Sequence, residues 1–275
     1  MNTAYVQNNL INFTALIADV IEGMSFIKSS LLASGLICLS TIQATALDFF
    51  QRGPAPQFIE TEVHALAGCA TVINNYKACF PQIENLRTNM SHALGIGARS
   101  VFGIRNYLGL GTELNVMNYA YTMDMAVVNE NTHSMSAVYL DNNFWYINIP
   151  VFVSIRFNIA HSVRWSVDAG AYYAFGFAGN QHQVIYRGAV NALDELVLEK
   201  VDLKTDYFHS GTTFQNVFLR GDIGAYIGSS LNFGPHLSVG FRSQIGIKNT
   251  ASSPNGIEHP QIRNVSFTGT LGYRF

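Results

Sequence analysis

The chain has 275 residues, a formal net charge of −2, 48% hydrophobic side chains and only 12% charged ones. Soluble domains carry about 25% charged residues, so charge here is low, and a near-neutral chain offers nothing to a nucleic-acid partner. Apart from one run near the start, no stretch is apolar for long enough to be a membrane helix. High apolar content without long apolar runs is what a lipid-facing sheet shows, because its apolar residues alternate with those of the other face.

Residues 1–23 precede a second beginning within the chain. Met24-Ser-Phe-Ile-Lys28 places a lone lysine before the apolar run Leu31–Ile42, and Ala44-Thr-Ala46 follows it. A charged n-region, an apolar core and an A-x-A site read as a secretory signal peptide over Met24–Ala46, cut before Leu47. An uncleaved anchor helix is the alternative. Residues 1–23 are then an upstream extension without assigned function. Cys38 lies in the apolar run, and Gly35-Leu-Ile-Cys38 fits a lipoprotein cleavage box poorly. Leu47–Gln57, with Gly53-Pro-Ala-Pro56, is an irregular periplasmic lead-in.

Cys69 and Cys79 would enter an oxidising compartment, where a disulfide closing a short loop and two separate thiols are both open readings. Without a supporting His pair they make a poor metal site. No metal or other cofactor is expected.

From residue 58 to 275 apolar and polar residues alternate in strand-length blocks. The first covers Phe58–Thr71, with Val63, Ala65 and Ala67 opposite Glu60, Glu62 and His64. A loop over Asn74–Asn89 leads to Met90–Ile104, which sets Leu94, Ile96 and Phe102 against Gly95, Gly97 and Arg99. Arg105-Asn-Tyr107 is a tight turn, and Leu108–Tyr121 sets Leu110 and Leu114 against Glu113 and Asn115. A polar stretch, 122–143, precedes Phe144–Phe157, where Ile147, Ile149, Val151, Val153 and Ile155 share one face and Arg156 lies on the other. Pro150 interrupts that strand, and a bulge is the expected accommodation. After a short turn, Arg164–Ala178 alternates Trp165, Val167, Tyr173 and Phe175 with Ser166, Asp168 and Tyr172. A long polar segment, 179–213, separates it from Phe214–Leu231, which carries Arg220 and Asp222 on its polar face. Asn232–His236 turns into Leu237–Ile247, with Arg242 on its polar face. Lys248–Asn264 is a loop before the last strand, Val265–Phe275.

Eight strands result, each long enough for the roughly 9–11 residues that a tilted strand needs to cross a bilayer. The connections alternate long and short, as short periplasmic turns and longer extracellular loops do. The expected fold is all-β: an eight-stranded antiparallel up-and-down transmembrane β-barrel over 58–275, closed by pairing its first and last strands, with both termini periplasmic.

The final strand, Val265-Ser-Phe-Thr-Gly-Thr-Leu-Gly-Tyr-Arg-Phe275, resembles the terminal strand of bacterial outer-membrane barrels. That resemblance implies an assembly signal at Tyr273 and Phe275, and the barrel assembly machinery and outer-membrane lipid as partners. Tyr146-Ile-Asn-Ile-Pro-Val-Phe-Val-Ser-Ile-Arg-Phe157, followed by Val167-Asp-Ala-Gly-Ala-Tyr172, looks like the porin-family β-barrel domain common in Bacteroidota. It implies a small OmpA-like barrel and no specific ligand.

If the apolar parity faces lipid, the lumen collects Glu60, Glu62, Glu113, Asp168 and Asp222 with Arg99, Arg156, Arg220, Arg242 and Arg274. A narrow eight-stranded barrel is filled by side chains and buried charges must pair, so an interior salt-bridge network is expected. An ion path is the alternative. Catalysis of the lipid A deacylase kind would need a His and a Ser sharing one face at the extracellular rim. His161-Ser162 falls in a short turn, while neighbours such as His133-Ser134 and His209-Ser210 point to opposite strand faces. No catalytic residue is nominated. A structural or surface-binding role through the extracellular loops, toward an unidentified ligand or protein, is the expectation. The 179–213 segment, with apolar residues among Glu199, Lys200, Asp202 and Lys204, is its chief surface, and a soluble lipocalin-like barrel is a further alternative.

Overall fold

A computed structural model describes residues 59–129, 134–160, 162–190, 196–208, 217–252 and 260–275. The expected upstream extension, signal peptide and lead-in lie outside them, as do His133, His161 and His209. Among the described residues no helix is long and apolar enough to cross a membrane, which says nothing of strands.

The strands are β1 Ile59–Asn74, β2 Ile83–Arg105, β3 Leu108–Asn129, β4 Ser134–Ala160, β5 Val163–Val190, β6 Leu196–Asp206, β7 Val217–Phe218, β8 Gly221–Phe233, β9 Leu237–Gly246, β10 Ala251–Ser252 and β11 Ile262–Arg274. Every pairing is antiparallel. The order β4-β3-β2-β1-β11-β9-β8-β5 closes on itself through β4–β5, giving a ring of eight, while β6 pairs with β5 outside the ring. The closing ladder of first and last strands runs from Glu62↔Arg274 to Asn74↔Ile262. β7 and β10 form a separate two-stranded pair.

Apolar side chains that a soluble fold would bury stand outward along the ring. Ile96 is 69% exposed, Ile227 57% and Leu271 61%. Their neighbours on the other parity, such as Arg99, Glu113, Asp168 and Arg242, are buried. A period-two strand has one face for each solvent, and here the polar face is the enclosed one. Val265, at the start of the last block, is an exception: it is buried rather than lipid-facing.

Several strands outrun their expected limits. The stretches read as loops at 122–143 and 179–213 are largely ladder: β3 and β4 pair up to Asn129↔Ser134, and β5 and β6 pair from Asn180↔Asp206 to Val190↔Leu196. Likewise β2 begins at Ile83 after a one-turn helix, Tyr76–Cys79, within the predicted loop. In these extensions the apolar face reverses. Leu110 and Leu114 of β3 point out, but from Met117 onward Tyr119, Tyr121, Met123 and Met125 are buried. On β5 the reversal is made by a bulge: Trp145 pairs with Ala178 and Tyr146 with Gly176, leaving Phe177 extra. Tyr172 and Ala174 are buried below it, Gln183 and Ile185 above. An extra residue re-aims every side chain beyond it.

Pro150 needs no bulge. The β3–β4 register is the same at Thr112↔Val151 and Asn115↔Asn148, and the ladder merely skips the residues between. The Thr112 hydroxyl donates to the Pro150 carbonyl at 2.9 Å. Proline's missing N–H thus falls in a gap bridged by a side chain. At the short-turn end, Gly234 adopts φ +56°, a left-handed conformation that glycine takes without steric cost.

Candidate functional site

Three layers fill the barrel. In the middle, Arg99 on β2 has Glu62 and Glu113 as direct cross-strand neighbours. Its guanidinium reaches across the lumen to Asp168 of β5, with contacts of 3.0 Å to Oδ1 and 2.9 Å to Oδ2, and lies 3.8 Å from Glu113. The Arg242 Nε donates to Glu113 Oε1 at 3.1 Å, and the Tyr226 hydroxyl donates to the same oxygen at 2.9 Å. The Asn115 amide takes the other Glu113 oxygen at 3.1 Å, and its carbonyl pairs with His64 at 2.9 Å. Arg99 also lies 4.8 Å over the Phe152 ring, which stacks on Tyr226. Both arginines are buried with carboxylates, the condition on which buried charge is tolerated.

Space for this layer comes from missing side chains. A Cβ on Gly97 would lie 1.8 Å from Asn115 Oδ1, and one on Gly228 3.2 Å from both Arg242 Cδ and Asp168 Oδ2.

Toward the short turns, Glu60 is the hub. Arg156 and Arg164 donate to its Oε1 at 3.0 and 2.8 Å, and Arg274 stands 3.7 Å from Oε2. The Arg274 guanidinium also donates to the Gly234 carbonyl at 2.6 Å, clamping the last strand to the β8–β9 turn. Arg164 was missed from sequence because it sits where strand and turn meet, and parity carries no signal there.

At the other end the lumen is aromatic. Phe144 stacks on Tyr207 at 4.5 Å between ring centres and Tyr207 on Phe218 at 4.2 Å, while the Tyr121 and Tyr207 hydroxyls lie 3.1 Å apart. The signal for this plug was the aromatic run Tyr207-Phe208, placed in a loop from sequence.

Two expectations are corrected, and one open reading is decided. Arg220 is exposed at the head of β8, donates to the Gly176 and Phe177 carbonyls and covers the Phe208 ring, so it is no part of the lumen network. Asp222 is buried but forms no ion pair among the described residues; Tyr172 and Asn264 donate to its Oδ2 at 3.0 and 2.9 Å. No disulfide joins Cys69 to Cys79. Cys69 lies in the ladder opposite His92 and Phe267, and Cys79 lies in the helical turn beyond the strand's end at Asn74. Five residues of strand at about 3.3 Å each exceed the ~7 Å limit for bridged Cα atoms. No group of three or more His, Cys, Asp or Glu suited to a metal occurs among the described residues.

Beyond the ring, the β5–β6 hairpin carries exposed Leu198 and Val197. Tyr139 of β4 meets Tyr186 edge-on at 6.0 Å, and Lys200 covers the Tyr186 ring. His182 lies 2.8 Å from Asp202, and this hydrogen bond holds the Asp202 carboxyl below its ordinary value.

A closed antiparallel ring with an apolar outer belt and paired charges inside is a transmembrane β-barrel, since only a ring without edges satisfies strand backbone in lipid. Residues 63–252, more than half of the chain, match the family model of the outer membrane protein beta-barrel domain, and the chain belongs to that family. It is an outer-membrane protein of bacteria. Solved structures similar to it include Ail, the attachment invasion locus protein of Yersinia pestis, 12% identical over 78% of this chain and 98% of that one with a TM-score of 0.33. Neisserial surface protein A is 8% identical over 78% and 97%, TM-score 0.30. OprG of Pseudomonas aeruginosa is 6% identical over 78% and 95%, TM-score 0.27. No curated protein matches the chain.

Proposed function

We propose that this barrel does not conduct and that it presents a binding surface on its β5–β6 hairpin, with the long-hairpin end outside the cell and both termini periplasmic. The observation that carries this reading is the ladder from Asn180↔Asp206 to Val190↔Leu196. The β5–β8 ladder ends at Phe175↔Gly221, and beyond it β5 continues between β4 and β6, so β6, which lies outside the ring of eight, serves something other than closure. Among the described residues β6 pairs with β5 alone, which leaves a strand edge of the form that extended peptides recognise by adding a strand. The exposed Tyr186, Leu198 and Lys200 flank it.

The closed lumen rests on the three layers. Among the described residues, the cavities left between them measure about 20, 10 and 30 Å³, each of the order of one or two waters. The reading includes no catalytic role; a changed lipid A mass spectrum on expression would replace it with an enzymatic one.

The test compares surface partners captured by the intact protein with those captured after deletion of 179–213, both versions first shown to be folded in outer membranes. Loss of specific capture on deletion is expected, and identical capture would move binding elsewhere. In planar bilayers the purified protein should give no discrete openings. Reproducible openings abolished by plugging substitutions would make it a channel.

A further inference from the structure

Asp222 is 2% exposed and has no cationic side chain within ion-pair distance among the described residues. Its Oδ2 accepts from Tyr172 and Asn264, as an ionised carboxylate does, while no side chain donates to its Oδ1. Among the other oxygens in that condition are Asn148 Oδ1 and Asn264 Oδ1. All three residues line one cavity of about 20 Å³, together with Tyr119 and Gln244. Asn148 is 1% exposed, and its amide nitrogen is already committed to Gln244 and Tyr119.

We propose that this cavity binds a monovalent metal cation, of the sodium or potassium class, on Asp222, Asn148 and Asn264. Buried acceptors without donors are uncommon and each needs an explanation. A buried carboxylate needs positive charge beside it. A proton on Asp222 would supply the charge but only one donor, leaving at least one amide oxygen orphaned. A proton on Asp222 together with one water would satisfy all three oxygens without a charge, and only an ion makes the stability depend on the cation in the salt. A hard cation accepts all three oxygens as ligands. Space for a water-sized guest begins at about 10–15 Å³, which the cavity exceeds. One carboxylate balances one positive charge, whereas divalent sites of the calcium type gather several. Lys248 is the lysine whose charge acts on Asp222, from beyond ion-pair distance.

The experiment uses the full-length folded protein in detergent. Its thermal unfolding, read as loss of heat-modifiable mobility, is measured in sodium, potassium and choline chloride at one ionic strength. Crystals soaked in thallium(I), an anomalous scatterer that replaces potassium, give the second readout. A higher midpoint in one of the metal salts than in choline, by several degrees, and an anomalous peak between Asp222 and Asn148 are expected. In Asp222→Asn both should vanish. Asn148→Asp adds a second carboxylate and should turn the preference toward calcium, an outcome that a merely structural Asn148 would not give. Equal midpoints in all three salts with no thallium peak in the unaltered protein overturn the proposal and leave Asp222 carrying its own proton.

Discussion

Arg99 and Asp168 belong to strands that are not neighbours, β2 and β5, and their side chains meet across the lumen in two contacts of 2.9 and 3.0 Å. The pair is a strut between opposite walls, made without backbone. Asp168→Ala should destabilise the barrel by about 3–5 kcal/mol, because a buried guanidinium loses its partner. Replacing both residues with leucine should recover much of that loss. Urea unfolding in lipid vesicles measures it; a double variant no more stable than the single one would show that charge pairing is not the source.

The exposed belt gives a second expectation. Ile96, 69% exposed in mid-strand, faces lipid, so Ile96→Arg should cost about 2–4 kcal/mol. Leu198 is 75% exposed on the hairpin and faces water, so Leu198→Arg should change stability by less than about 0.5 kcal/mol. Equal costs at the two positions would misplace the membrane.

Phe275 is 74% exposed, meets Tyr273 edge-on and donates its N–H to the Thr61 carbonyl at 3.0 Å. A large apolar ring that contributes so little packing is available for recognition. Deleting it should lower the heat-modifiable outer-membrane fraction several-fold while export to the periplasm continues. Unchanged folded yield would reduce Phe275 to one more belt residue.

The His182–Asp202 pair predicts a pH response of the hairpin. Asp202 is exposed and its carboxyl is depressed by the hydrogen bond from His182. A depressed acid stabilises the folded form above its unfolded value and loses that contribution as pH falls through the folded one. Hairpin amide protection should therefore hold down to the ordinary aspartate range and decline only in stronger acid. Carbonyl NMR titration should find Asp202 below ordinary aspartate, and His182→Ala should return it there.

The ring was legible because lipid and lumen impose opposite polarity on alternate residues, as in Ile147–Ile155 against Asn148 and Ser154. Where the strands leave the bilayer that contrast ends. Met123 and Met125 turn inward among Thr122 and Asp124 and read, from sequence, as a polar loop with stray apolar residues. Phe177 and Ala178 look like one more alternation and are a bulge. Parity puts Arg99, Glu113 and Arg242 on one face where the strand is regular, and there all three are buried. Arg220 escaped because β8 starts one residue after it. Which arginine meets which carboxylate was out of reach, since Arg99 and Asp168 are joined by the curvature of the sheet rather than by any spacing along the chain.

The ladder that seals the ring joins Glu62 to Arg274, so the shortest route between these partners runs through almost the whole translated barrel. Folding rates fall as contacts become more distant in sequence, and no intermediate lacking β11 can bury the edge of β1. Closure is therefore a late, single event that waits for the last strand. Until then the exported chain carries two open edges and an apolar belt through an aqueous compartment. An open edge of that kind templates pairing with other chains until β11 covers it.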